Sequence, residues 1–110
     1  MQPPAPDVLS VLSPLRVRCD HTRAGGALAA HFGAAGRHFD VRTAFAADPG
    51  RYRAFSQEAP HLFVDLSRNR IDAPTEALLM ALARECGLEA QRDAMQAGAP
   101  INHTEQRAVL

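Results

Sequence analysis

Asp72-Ala73-Pro74-Thr75-Glu76-Ala77-Leu78-Leu79-Met80-Ala81-Leu82-Ala83-Arg84-Glu85-Cys86-Gly87 decides the fold class of this chain. Asp72 is placed to accept a hydrogen bond from an otherwise unpaired amide, Pro74 falls in the first turn where no donor is lost, and Gly87 can adopt the left-handed closing conformation. The stretch therefore predicts a helix from about Ala73 to Cys86, with Leu78, Leu79, Leu82 and Cys86 as its apolar stripe. A shorter helix is expected over Glu89 to Ala97, with Ala90, Ala94 and Met95 facing inward and Gly98 closing it. Small side chains along both would let the two helices approach closely.

Upstream, Ala24 to Ala35 reads as a helix with Leu28 and Phe32 four apart on one face, weakened by Gly25, Gly26, Gly33 and Gly36. Val41 to Ala47 predicts a short helix ending at the turn Asp48-Pro49-Gly50. Tyr52 to Ser56 reads as extended and His61 to Ser67 as a strand, dense in Leu62, Phe63, Val64 and Leu66, with Gln57-Glu58-Ala59-Pro60 as the turn between them. The expectation is a mainly α chain with one short β-hairpin. Residues 1–23 form a proline-rich leader and a weak helical segment, Val8 to Leu15, interrupted by Pro14, and residues 24–110 form the helical and hairpin segment.

At the far end, Asn102 and Glu105 have capping-box spacing, which predicts a new helix from about His103 that the chain leaves inside its first turns at Val109 and Leu110. The expectation is an amino-terminal piece of a larger enzyme, truncated within a helix.

Composition narrows function by exclusion. Of 110 residues, 46% are apolar and 22% charged, with a formal net charge of zero, so no overall field gathers nucleic acid or an anionic membrane. Arg16, Arg18, His21 and Arg23 cluster locally but are mixed with Asp20. No run reaches the roughly 20 apolar residues of a membrane span, and the opening lacks the pattern of a secretory signal. Cys19 and Cys86 are far apart and belong to no metal-ligand or disulfide pattern, which reads as two reduced thiols. Cys86, at the carboxyl end of an apolar stripe, reads as core rather than nucleophile.

No catalytic set emerges. His21, His31, His38, His61 and His103 lie in different elements, and none pairs with another at the spacing that lets one helix face hold a metal. Arg37, His38 and Asp40 are near neighbours that point in different directions. Ser10, Ser13 and Ser56 have no base and carboxylate at a recognisable offset. Asp65 reads as a partner for nearby loop backbone, and Arg68 and Arg70, in Asp65-Leu66-Ser67-Arg68-Asn69-Arg70, as parts of a structural turn able to reach an anion. The expectation is no catalytic, cofactor-binding or metal residue in this chain.

Leu62-Phe63-Val64-Asp65-Leu66-Ser67-Arg68-Asn69-Arg70-Ile71 and, further on, Met95-Gln96-Ala97-Gly98-Ala99-Pro100-Ile101-Asn102-His103-Thr104-Glu105-Gln106-Arg107-Ala108-Val109-Leu110 closely resemble segments of the glucose-6-phosphate isomerase family. Phe45 to Tyr52 is similar to that family's short helix before its first hairpin. The resemblance implies an α/β enzyme with two sugar-isomerase subdomains, cytoplasmic and usually homodimeric, that interconverts glucose 6-phosphate and fructose 6-phosphate through an enediol without metal or organic cofactor. It also implies that the proton-transfer residues lie beyond Leu110, that Asn102, Thr104, Glu105 and Arg107 support a helix start, and that this chain alone is inactive. The alternative is a freestanding helical interaction module.

Overall fold

The computed structural model describes residues 17–102 and 104–109. The proline-rich leader and the weak helical segment Val8 to Leu15 expected from the sequence lie outside these, as do His103 and Leu110. Five helices and one antiparallel hairpin are formed among the described residues: α1 (Arg23–Ala34), α2 (Val41–Ala47), α3 (Arg51–Ala54), β1 (Ser56–Ala59), β2 (Leu62–Asp65), α4 (Ala73–Glu85) and α5 (Leu88–Gln96). The mainly α reading with one hairpin therefore holds. Leu28–Ala77 forms one compact unit, and the described residues up to Ala27 together with those from Leu78 form the other.

Within Leu28–Ala77, the Asp40 side chain accepts from the Thr43 amide at 2.9 Å and starts α2. That bond, foremost, holds the Asp40 carboxyl below its usual range. At the other end of α2, Asp48 stops the helix and immediately seeds the next turn: its Oδ1 accepts from the Gly50 amide at 2.9 Å, and its carbonyl accepts from the Arg51 amide at 3.1 Å. The chain thus enters α3 where the sequence reads as extended. Tyr52 to Ala54 are helical, and the first strand is Ser56–Ala59 instead.

The hairpin pairs Ser56 with Asp65, Gln57 with Val64, Glu58 with Phe63 and Ala59 with Leu62. Gln57 to Ala59 are therefore strand, not turn. Polarity misplaced them because the two-stranded sheet exposes both Gln57 and Glu58 to water, and an exposed strand carries no apolar signature. Only Pro60 and His61 make the turn. Proline fixes its own φ near −65°, and His61 has φ 62°, the sign pattern of a type II turn. Histidine pays a steric penalty in that left-handed region, and glycine does not. His61→Gly is expected to stabilise the chain by about 0.5–1 kcal/mol. Thermal unfolding checks this, and a lower midpoint would refute it.

In the other unit, α4 and α5 are joined at Gly87, whose φ of 69° is the left-handed conformation anticipated for it, and α5 is followed by Gly98 at φ 78°. The inward faces are thinner than expected. Leu78, Leu82, Cys86, Ala94 and Met95 are half-buried, whereas Leu79 and Ala90 are exposed. Alanine-rich helices offer little side-chain volume with which to cover one another.

The helix expected from His103 is not formed by the described residues. Asn102 does act as a cap, its Oδ1 accepting from the Glu105 amide at 3.3 Å and the Thr104 hydroxyl at 2.8 Å. The chain then reverses: residues 104–106 form a turn, Gln106 has φ 51°, and Asn102 and Arg107 form an isolated antiparallel bridge. Glu105 pairs with the Arg107 guanidinium, and its Oε2 accepts from Asn102 Nδ2 at 3.4 Å, so it does not return to the cap amide, which donates to the Arg107 carbonyl at 3.2 Å. A cap supplies one or two bonds, and helix nucleation costs more than that in a short segment.

Candidate functional site

The densest polar arrangement among the described residues lies within Leu28–Ala77, where the segment after β2 is tied down from two sides. Arg51, in the single turn α3, is 3% exposed. Its Nε donates to the Ser67 carbonyl at 2.8 Å, and its Nη2 donates to the carbonyls of Asn69 at 2.9 Å and Ile71 at 2.8 Å. Three rings surround the guanidinium carbon, with centroids 4.4 Å away at Phe55, 5.2 Å at Phe39 and 5.7 Å at Phe45. A weakly hydrated planar cation suits this setting, since its edge hydrogen-bonds while its faces lie against aromatic π-systems.

The captured segment also organises itself. Asp65 Oδ1 accepts from the Ser67 amide at 2.8 Å and the Ser67 hydroxyl at 2.5 Å. The hydroxyl bond foremost, then the amide bond, outweighs partial burial and lowers the Asp65 pKa. The anticipated partnership of Asp65 with nearby loop backbone is thereby found, with Ser67 almost wholly enclosed at 1% exposure. Arg70 donates to backbone: its Nη2 to the Arg37 carbonyl at 3.0 Å and its Nε to the Phe39 carbonyl at 3.3 Å. Both Arg51 and Arg70 thus bind backbone, which supports the structural reading of this turn.

Where the segment enters α4, Asp72 accepts from the Thr75 amide at 2.8 Å and the Thr75 hydroxyl at 2.6 Å, as a helix cap. His31, from α1, places Nε2 at 3.1 Å from each Asp72 carboxylate oxygen. Burial raises the Asp72 pKa, but the Thr75 hydroxyl and amide bonds, and then His31, more than reverse it and leave the carboxyl below its ordinary value. The sequence identified the cap and missed the histidine, because 41 residues separate the partners and no local spacing marks the pair. A carboxylate orienting an imidazole is half of a nucleophile-activating arrangement, but the nearby Thr75 hydroxyl donates to the carboxylate itself. What the geometry does chemically is brace the start of α4 against α1.

The other histidines are dispersed. His38 accepts from Arg37 Nε at 3.1 Å, His21 stands 3.8 Å from Asp20, and His61 occupies the hairpin turn. No group of three or more metal-ligating side chains is present among the described residues. In the other unit, Met80, Ala83, Arg84, Leu88, Glu89 and Arg92 line a hollow of about 230 Å³, with a single carboxylate among them. The described helices include none long and apolar enough to cross a membrane.

The family model for phosphoglucose isomerase matches residues 65–110, from the carboxylate that organises the Arg51-bound segment onward. Glucose-6-phosphate isomerase of Polaromonas naphthalenivorans (strain CJ2) is 66% identical over 95 residues, which cover 86% of this chain. The chain belongs to the phosphoglucose isomerase family. Other relatives are the glucose-6-phosphate isomerases of Leptothrix cholodnii, 63% identical over 84% of this chain, and Roseiflexus castenholzii, 50% identical over 76%. The chain spans 18%, 17% and 15% of the length of these three relatives, a small part of each. Family membership thus accounts for the two segments that carried the resemblance in the sequence, one of which is the segment that Arg51 holds.

Proposed function

We propose that this chain is the amino-terminal helical and hairpin segment, residues 24–110, of a glucose-6-phosphate isomerase whose sugar-isomerase subdomains and proton-transfer residues belong to sequence beyond it. The observation that carries this reading is 66% identity over 95 residues to a protein of that name, of which those residues make up a small part. The reaction is the interconversion of glucose 6-phosphate and fructose 6-phosphate by ring opening and enediol proton transfer, in a cytoplasmic homodimer without metal or organic cofactor. In such an enzyme the Arg51 clamp and the His31–Asp72 brace serve as support, fixing the polypeptide that leads from β2 into α4. The 110-residue chain alone is inactive on this reading.

A chimera tests it. Replacing the matching residues of the Polaromonas naphthalenivorans enzyme with those of this chain is expected to keep kcat/KM for glucose 6-phosphate within about tenfold of the parent, a difference of about 1.4 kcal/mol in the barrier. The isolated chain is expected to give no turnover in the same coupled assay. A folded chimera without activity would overturn the family-segment role and favour an interaction module, and turnover by the isolated chain would overturn the assignment of catalysis to sequence outside it.

A further inference from the structure

Cys19 and Cys86 are 67 positions apart in sequence, and their sulfur atoms are 3.1 Å apart in the folded chain, both as free thiols. We propose that they form a peroxide-oxidisable dithiol, in which Cys19 attacks a hydroperoxide and Cys86 resolves the product to an intramolecular disulfide. This is a modification site separate from the isomerase reading.

The site is built on both sides. Cys19 opens a 3-10 turn, Cys19–His21, which precedes α1. Its carbonyl accepts from the Thr22 hydroxyl at 2.7 Å, and that hydroxyl oxygen accepts in turn from the Gly25 amide at 2.9 Å. Gly25 is required for this approach, because a β-carbon there would collide with the Cys19 carbonyl. Sequence reading counted Gly25 as a weakness in α1; the close contact explains it. On the other side, Glu85 Oε2 accepts from the Ala24 amide at 3.2 Å, which docks the end of α4 onto the start of α1 beside the two sulfurs. The Cys86 carbonyl accepts from Gln91 Nε2 at 3.0 Å.

The roles follow from exposure and hydrogen bonding. Cys19 is exposed and Cys86 half-buried, so an incoming peroxide reaches Cys19 first. The Cys86 thiol donates its hydrogen to the Cys19 sulfur. That bond foremost, with partial burial and the charges of Cys19 and Glu85, raises the Cys86 pKa and keeps it the protonated partner. In the first step the Cys19 sulfur attacks one oxygen of hydrogen peroxide, the O–O bond breaks, the Cys19 thiol proton leaves with the departing hydroxide as water, and Cys19 sulfenic acid forms. In the second, the Cys86 sulfur attacks the Cys19 sulfur, the S–O bond breaks, and the Cys86 proton leaves with the hydroxyl as a second water. Two thiols lose two electrons in total, and one peroxide gains them. The sulfurs must close by about 1 Å to reach the disulfide length of about 2.05 Å.

The test treats the 110-residue chain at low concentration with one equivalent of hydrogen peroxide, then with N-ethylmaleimide, and reads intact mass and peptide linkage. The expected product is a monomer about 2 Da lighter, without maleimide adducts and with the Cys19 and Cys86 peptides joined. It should form at least about tenfold faster than in concentrated urea, since folding holds the thiols together at high effective concentration. In C86S, Cys19 sulfenic acid should persist and take one dimedone adduct. Two maleimide adducts after peroxide, sulfinic acid as the main product, disulfides mainly between chains, or a native rate no faster than in urea would each overturn the proposal.

Discussion

Arg51→Ala is expected to destabilise the chain by about 3–5 kcal/mol, enough to abolish a cooperative transition if total stability lies near the lower end of the usual range of about 5–15 kcal/mol. The substitution removes the donors to the Ser67, Asn69 and Ile71 carbonyls together with a cation held among Phe39, Phe45 and Phe55. Hydrogen bonds from charged donors contribute about 1.5–3 kcal/mol each, and a desolvated cation–π contact about 2 kcal/mol, but these values are not additive within one group. The full loss is therefore set by what stays behind, chiefly the Ser67 carbonyl in a buried position. Helix propensity at this site matters far less, since alanine is the better helix former by only tenths of a kcal/mol. Arg51→Lys distinguishes charge from shape. Its ammonium keeps the charge but lacks the planar fork that spans three carbonyls, so it should recover less than half of the loss. Urea unfolding of the two variants measures both effects, and a loss below about 1 kcal/mol for Arg51→Ala would refute the clamp.

Asp72→Ala is expected to cost about 1.5–3 kcal/mol, combining a lost helix cap, typically about 0.5–2 kcal/mol, with the lost His31 contact. Asp72→Asn keeps an acceptor for the Thr75 amide and removes the charge, so it should cost less at neutral pH. The pH dependence separates the two roles. The Asp72 pKa is lowered in the folded chain, so between the folded and unfolded values the unfolded chain binds more protons. Its contribution is complete above the ordinary aspartate value and is lost as the pH falls through the folded value. Stability measured across that acidic window should fall less steeply in Asp72→Asn than in the parent, and parallel curves would refute a stabilising charge at this position.

Sequence patterns revealed what is local. Asp72, Gly87 and Gly98 act at the helix ends where their chemistry placed them, because a cap depends on residues within one turn of itself, whereas the cap that Asp40 supplies to α2 was not read from the sequence. The same logic identified Asn102 as a cap, yet a cap does not guarantee the helix behind it, and the chain reverses at Gln106. The register of the hairpin was hidden because a two-sided polar strand lacks alternation. Arg51 was not singled out at all: arginine is ordinarily exposed, and its burial depends on Phe39, Phe45 and Phe55, which only folding gathers. The only available signal was the concentration of five phenylalanines within a chain that has one tyrosine and no tryptophan. The Cys19–Cys86 proximity and the His31–Asp72 contact were invisible for the same reason, since separations of 67 and 41 residues leave no spacing to read.

The Arg51 clamp grips carbonyl oxygens, and every amino acid supplies one. The interaction is therefore blind to the side chains of the residues it holds: exposed Asn69 can drift without altering the bonds it accepts, while Arg51 itself has no substitute with the same fork. A saturation library across this region should return one intolerant position facing a permissive one. At Asn69 the cost of error falls on Arg51 rather than on the residue it holds, which leaves that exposed position open to variation under other pressures.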